Sequence, residues 1–562
     1  MAVNKRFPLP PAADRYGHAR PWNSTIVPEV LPAILARQAA ARGADPLVDF
    51  LGRRFSYAQL NEEALRFAHG LIARGIGKGD RVGLFLPNVP IYVSAYYGAM
   101  LAGAVVVNFS PLYSVEELAA QVADSGTRLL VTIDAPTLLP TAEKVLDGSQ
   151  LETLVVGSLA DMVPRVKGLL LKTVARRRLA PVPQRADVLR WTAMLAAPTG
   201  PLPEVAVEDL ALLQYTGGTT GVPKGAMLSH ANLASNAIQV DLIDPFDRSQ
   251  PDVVLGALPL FHVFANTCVL NRTVVRGGCM VMVPRFDAGE VLAAITRARP
   301  RAFPGVPTMF QALMDHADFA KTDWSSLRIC ISGGAPMPGP LRETFEEATG
   351  VRLVEGYGLT ESSGVVSTNP YEGLRKPGTI GQPIPATQVM LLDKEDPTSL
   401  APDGEPGELV VRGPQVMRGY WNRPETAADA FATVNGESWL RTGDVATIDD
   451  DGFLAIVDRI KDMIAVGGFK VFPSQVEAVL VEHPAVREVL VLGMPDPYLG
   501  ETPAAFVTLA EGADSDGAAL REWLNARVGK HERLSAVTVR ADLPKTMIGK
   551  LDRKALRAEV LG

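Results

Sequence analysis

From about residue 55 the chain alternates helical and strand-like apolar patterns, and this alternation limits its fold more than any other feature. Helical stretches (YAQLNEEALRFAHGLIARG, VEELAAQVADSG) take turns with short apolar runs (RVGLFLPN, AVVVN, RLLVTID). Runs without polar alternation suit strands buried on both faces, which helix-covered parallel sheets provide. An α/β architecture with largely parallel sheets is therefore predicted. After a basic interlude near residues 162–190 the pattern resumes, with strands at DLALLQYT and MVMVPRF and helices at AGEVLAAITRAR and PLRETFEEATG. Residues 378–457 change to glycine-rich β-like runs (GTIGQPI, GELVVRG, GFLAIVD), read as a small β-barrel-like subdomain. A boundary near Arg459 then divides a large body, 1–458, from a small α+β domain, 459–562, with helices at SQVEAVLVEH and GAALREWLNARV and strands at REVLVLGM and AAFVTLA.

Composition narrows the function. A net charge of −7 argues against nucleic acid as a partner, because duplex affinity rests on clustered Lys and Arg. Three cysteines, Cys268, Cys279 and Cys330, offer neither a CxxC pair nor a disulfide framework, as expected in a reducing compartment. The first residues lack the apolar core of a signal peptide and the last are not a peroxisomal tripeptide, so the expected location is the cytoplasm. Ile91 to Phe109 carries no charge over a span long enough for a bilayer. Its interruptions by Ser94, Gly98, Gly103 and Asn108 favour a buried helix followed by a buried strand.

The strongest local signal is LLQYTGGTTGVPKGAMLSHANL, Leu212 to Leu233: an apolar strand, a Gly/Thr-rich loop with one lysine, and a helix capped by Ser229. Gly217, Gly218 and Gly221 let backbone N–H groups approach phosphate oxygens, Thr216, Thr219 and Thr220 add hydroxyls, and Lys224 adds charge. A Walker loop needs Gly-Lys-Ser/Thr leading into a helix, whereas here Pro223 precedes Lys224 and Gly225 follows it. No Gly-x-Gly-x-x-Gly turn supports a dehydrogenase, no Gly-x-Ser-x-Gly elbow a serine hydrolase, and no HExxH or Cys/His cluster a zinc site.

YTGGTTGVPKG resembles the phosphate loop of the acyl-adenylate-forming (AMP-binding) enzymes, the superfamily of acyl-CoA synthetases, luciferases and peptide-synthetase adenylation domains. Three further motifs follow in the order found there: GYGLTESSG (356–364), WLRTGDVATIDDDGFLAIVDRIKDMIAVGGFKVFP (439–473) and LPKTMIGKLDRKALR (543–557). The resemblance implies ATP-dependent activation of a carboxylic acid. The loop from Thr216 to Lys224 would hold the β- and γ-phosphates; Glu361, with Thr216, would hold Mg²⁺. Tyr357 would stack on adenine beside Gly356 and Gly358, Gly334, Ala335 and Pro336 would line the base and α-phosphate side, and Thr360 would reach the α-phosphate. Asp444, assisted by Arg459, would accept the ribose hydroxyls. Lys550, selected from its neighbours by the pattern Pro544-x4-Gly549-Lys550, would bridge carboxylate and α-phosphate. Lys461 falls at the hinge, Gly467, Gly468 and Lys470 would approach the pantetheine of coenzyme A, and His262 in LPLFHVFANT would sit near the carboxylate.

AVVVNFSPLYSVEEL (104–118) and LPLFHVFA resemble long-chain fatty acyl-CoA synthetases, so the expected substrate is a medium- to long-chain fatty acid. The alternatives are the same chemistry on an aromatic, alicyclic or dicarboxylic acid, or transfer to a separate carrier protein; a fused carrier has no room after Lys550. Residues 162–190 hold eight basic residues against one acidic, interleaved with Leu169, Leu170, Leu171 and Val174, a composition suited to peripheral contact with an anionic membrane. A homodimer lies within what the sequence allows.

Overall fold

The computed structural model describes residues 15–216, 223–393, 396, 398–467, 469–546 and 549–561. Two sheets form the body. One runs edge to edge through Val188–Arg190, Thr153–Gly157, Thr127–Ile133, Arg81–Phe85, Val105–Phe109, Leu210–Thr216 and Lys224–Ser229, parallel except for the last strand. The other has nine strands. Its parallel centre consists of Leu353–Tyr357, Ile329–Gly333, Ala302–Gly305, Val253–Gly256, Cys279–Met282 and Pro46–Phe50, with short antiparallel strands at both edges.

The uncharged stretch folds as predicted, into the helix Pro90–Leu101 and the strand Val105–Phe109. At 1.5 Å per residue a 12-residue helix spans about 18 Å, short of the roughly 30 Å hydrocarbon core of a bilayer. Its tyrosines also carry hydroxyls that need partners. Tyr92 donates to Asn108 Oδ1 at 2.7 Å, Tyr96 to Asn266 Oδ1 at 2.9 Å and Tyr97 to Asn271 Oδ1 at 2.9 Å, so the buried helix is pinned by a polar network inside the body. No helix among the described residues is long and apolar enough to cross a membrane.

Between body and C-terminal unit lies an antiparallel five-stranded sheet centred on Glu437–Ile448. Val-rich Gly407–Arg412 lies on one side of that strand; Phe431–Val434 and Leu454–Arg459 share the other. This sheet occupies the place of the expected barrel-like subdomain and is open along Gln388–Leu392. GTIGQPI contributes only the two-residue strand Gln382–Pro383, and this belongs to the nine-stranded sheet: Gly378 and Gly381 take positive φ, which breaks the run into turns. The C-terminal unit pairs Val486–Asp496 with Gly500–Leu509 and covers them with the helices Pro473–Leu480 and Gly517–Asn525. Its apolar clusters draw only on residues from Ile464 onward.

Candidate active site

A cleft of about 3690 Å³ opens at the carboxyl ends of the parallel strands in both sheets and is closed on one side by the C-terminal unit. This is where open α/β sheets bind ligands, because loops leave the strands there and helix N-termini face outward. The segments beyond Val105–Phe109, Leu210–Thr216, Ile329–Gly333 and Leu353–Tyr357 all line it. So do Thr216, Lys224, His262, Gly334, Ala335, Pro336, Gly356, Tyr357, Gly358, Thr360, Glu361, Asp444, Arg459, Lys461 and Lys550. Sequence positions more than three hundred residues apart thus meet in one cavity.

On the phosphate side, Thr216 ends a strand and lies opposite Lys224, which opens the antiparallel strand Lys224–Ser229. Lys224 therefore starts a strand, and the helix begins only after Ser229, whose side chain accepts from Asn232 N in a capping box. Gly217, Gly218, Thr219, Thr220 and Gly221 lie outside the described residues. Glu361 sits in a short 3₁₀ turn, and Tyr420 Oη donates to its Oε1 at 2.7 Å.

On the nucleoside side, Asp444 is 2% exposed and lies opposite Arg459 in adjacent strands. Arg459 Nε donates to Asp444 Oδ1 at 2.9 Å, and Tyr357 Oη donates to Oδ2. A carboxylate has about four lone-pair sites, so each oxygen keeps acceptor capacity for a diol. Tyr357 is thus tied to Asp444 and lines the same cleft.

Lys550 reaches this wall from the C-terminal unit. The turn before it closes through Gly549 N to Thr546 O at 2.8 Å and Thr546 N to Lys550 O at 2.6 Å, and Thr308 Oγ1 of the body donates to Gly549 O at 2.8 Å. The Lys550 side chain then lies across Gly334, which has φ +83°; a β-carbon there would fall 2.2 Å from Lys550 Cε. The positive φ favours glycine at that position, and a β-carbon there would push the end of the Lys550 side chain aside. Burial, followed by repulsion from the Arg459 cation, lowers the Lys550 pKa to about 8, with Asp444 opposing the shift. Burial, followed by the Lys550 charge, lowers the His262 pKa to about 3. His262 Nδ1 accepts from Phe264 N at 3.3 Å, so the neutral ring carries its proton on Nε2 and is a donor there.

Gly467 and Lys470 are not brought to the cleft: they belong to the hairpin Ile464–Val466/Phe469–Val471 on the C-terminal unit, away from the cavity lining. Gly468 lies outside the described residues. Two residues that touch the site, Thr308 and Tyr420, escape sequence reading because their contacts cross from one segment of the chain to a remote one. The signal available for Tyr420 was an aromatic pair, Tyr420-Trp421, in a glycine- and proline-flanked turn.

The family description AMP-binding enzyme matches residues 35–421, and AMP-binding enzyme C-terminal domain matches residues 475–550. The chain belongs to the AMP-binding enzyme family. A long-chain-fatty-acid CoA ligase of Bacillus subtilis (strain 168) is 37% identical over 549 residues, covering 97% of this chain and 97% of its own. One from Escherichia coli O6:H1 is 38% identical over 536 residues, covering 93% and 94%. Among solved structures, an anthranilate CoA ligase in complex with anthranoyl-AMP matches with a TM-score of 0.83 at 27% identity, covering 95% of this chain and 98% of that one.

Proposed function

We propose that the chain converts a medium- to long-chain fatty acid into its coenzyme A thioester, with ATP cleaved to AMP and pyrophosphate. The observation that carries this reading is the placement of Lys550 over Gly334, beside the Asp444–Tyr357–Arg459 group and in the same cleft as Glu361 and Lys224. A carboxylate oxygen attacks the α-phosphorus, the bond to the β-phosphate oxygen breaks, and pyrophosphate leaves. The thiol sulfur of coenzyme A then attacks the acyl carbon and AMP leaves. Lys550 meets the negative charge that builds between carboxylate and α-phosphate, and the Nε2 proton of His262 orients the carboxylate. At pH 7 a lysine with pKa about 8 is mostly cationic and a histidine with pKa about 3 is neutral, so both are in the required state.

The donors fit Mg²⁺. Glu361 offers a carboxylate whose other oxygen is held by Tyr420, Thr216 adds a hydroxyl, and no cluster of three or more His, Cys, Asp or Glu occurs among the described residues. An ion that keeps waters and rests on one carboxylate plus substrate phosphates needs no fuller cage. When bound, it would neutralise charge on the phosphates.

Residues 459–562 act in this reading as a lid that turns about Lys461. With Lys550 in the cleft, Gly467 and Lys470 are not part of its lining, and an exchange of one for the other would bring the pantetheine side into play. Beyond His262 the cleft continues along Val240, Ile243, Cys268, Val365 and Tyr371, an apolar path suited to an alkyl chain. The aromatic alternative draws support from the solved relative that holds anthranoyl-AMP. A panel of fatty, aromatic and dicarboxylic acids assayed by loss of coenzyme A thiol decides between them: fatty acids should react, and turnover confined to aromatic acids or diacids would overturn the assignment.

We place the enzyme in the cytoplasm, in contact with the inner membrane face through residues 162–190. The helix Arg165–Lys172 carries Val166, Leu169 and Leu170 at i, i+3 and i+4, with 83%, 66% and 53% exposure, and Val174 follows at 84%. Arg165, Lys167 and Arg176–Arg178 flank this stripe; only Lys172 of the group has a carboxylate partner, Asp161 at 2.5 Å, among the described residues. Just upstream, Leu159 and Val163 line the cleft, so a docked helix would lie beside its mouth. Sedimentation with anionic vesicles should exceed that with neutral ones and fall on charge reversal of Arg176–Arg178; equal sedimentation throughout would remove this contact.

A further inference from the structure

Resting on the reading of Glu361 and Lys224 as magnesium and phosphate residues, we propose that Tyr420 is a positioning residue that holds the two in register on one polyphosphate. Its hydroxyl and its ring act on different partners. The hydroxyl donates to Glu361 Oε1 at 2.7 Å, fixing one carboxylate oxygen of a residue that lines the cleft and leaving the other for a ligand there. The Lys224 ammonium stands 5.5 Å from the ring centroid, within the range at which a cation is attracted to an aromatic face.

The backbone around Tyr420 explains how one side chain can serve both. Residues 417–421 run antiparallel to the strand Lys224–Ser229 on the side away from Leu210–Thr216: Met227 N bonds Gly419 O at 2.9 Å, Arg418 N bonds Met227 O at 3.0 Å and Trp421 N bonds Gly225 O at 2.8 Å. The same strap holds the Glu361 turn, through Met417 N to Glu361 O at 2.7 Å. Its far end is anchored on Asp124, which accepts from Arg423 Nη2 at 2.6 Å and from Tyr215 Oη at 2.6 Å. The exit of the phosphate loop and the acidic turn are therefore joined through one short segment, and Tyr420 is the residue of that segment that touches both functional side chains.

Separating the two contacts tests the assignment. Calorimetric titration with ATP, with and without Mg²⁺, is applied to the full-length wild type, Tyr420→Phe and Tyr420→Leu, alongside the melting temperature of each without nucleotide. Tyr420→Phe keeps the ring and loses the hydroxyl: affinity for ATP with Mg²⁺ should fall about tenfold, the scale of a hydrogen bond to a charged group, while metal-free ATP affinity and melting temperature stay as in wild type. Tyr420→Leu should weaken metal-free binding as well. A Tyr420→Phe variant that retains the full gain from Mg²⁺ would overturn the positioning role while leaving the proposed reaction intact. A uniform loss of both affinities in step with melting temperature would show a merely structural tyrosine. A wild type with no gain from Mg²⁺ would overturn this role and the magnesium reading together.

Discussion

The body and the C-terminal unit are held by different physics, and the difference suits a cleft that is proposed to serve two reactions. In the body, one apolar cluster extends from Leu31 through both sheets to Leu440, and the hydroxyls of the three tyrosines of Pro90–Leu101 inside it are each partnered. The C-terminal unit keeps its apolar clusters to itself, and its contacts with the body among the described residues are largely polar, including Arg459 to Asp444, Ser474 N to Asp458 Oδ2 at 2.8 Å, Thr308 to Gly549, Arg487 to Asp315 at 2.5 Å, and Lys550 over Gly334. An exposed ion pair contributes about 0–1 kcal/mol and a hydrogen bond about 1 kcal/mol, so contacts such as Arg487 to Asp315 and Thr308 to Gly549 hold the seam less strongly than apolar burial holds the body. In the proposed mechanism the body would fix the substrates and the C-terminal unit would supply exchangeable side chains.

The contrast predicts a graded set of effects. Lys550→Ala should slow acyl-adenylate formation about 10²–10³-fold, the scale of losing one preorganised donor to a charge-building transition state, yet leave thioester formation from supplied acyl-adenylate nearly unchanged. Equal loss in both steps would make Lys550 structural. Gly334→Ala should slow the same step about 10²-fold, since displacing a reacting group by an ångström has that effect, with thioester formation again spared. Its signature is a fall in kcat at an unchanged KM for coenzyme A.

A smaller effect follows from pH. Acyl-adenylate formation needs the Lys550 cation, present below its pKa of about 8 and lost above it, so the rate of pyrophosphate release should be level below that value and fall about tenfold per unit above it. His262, with a pKa of about 3, adds no acid limb in the working range. A rate still rising at pH 9 would contradict the assignment. The smallest effect belongs to the seam: Arg487→Ala breaks a pair exposed at 43% and 45%, and should change adenylation by less than about fivefold with no shift in melting temperature.

Much of this was legible in the sequence. Runs such as RVGLFLPN and VEELAAQVADSG carry their element type in periodicity, and the helix over 115–125 even shows its capping box, Ser114 with Glu117. Lys550, Asp444 and Glu361 were named by motif, and the fold brings them to one cleft. The strand Lys224–Ser229 was not legible, because KGAMLS is short, opens on a glycine-flanked lysine, and owes its conformation to pairing with Leu210–Thr216 and the 417–421 strap. Tyr420 was hidden for the same reason: its role exists only once remote segments pair. Gly467 and Lys470, expected near the pantetheine of coenzyme A, are absent from the cleft lining while Lys550 is part of it, and a role that depends on a second domain orientation is not displayed by one conformation.

The most direct test of the reaction is rapid quenching of wild-type enzyme with ATP, Mg²⁺ and a sixteen-carbon fatty acid in the absence of coenzyme A, followed by mass spectrometry. Acyl-adenylate and pyrophosphate should accumulate together, up to one of each per enzyme, and the adenylate should disappear as AMP and thioester form when coenzyme A is added. Release of ADP with an acyl phosphate, or thioester formation without any acyl-adenylate, would contradict the mechanism.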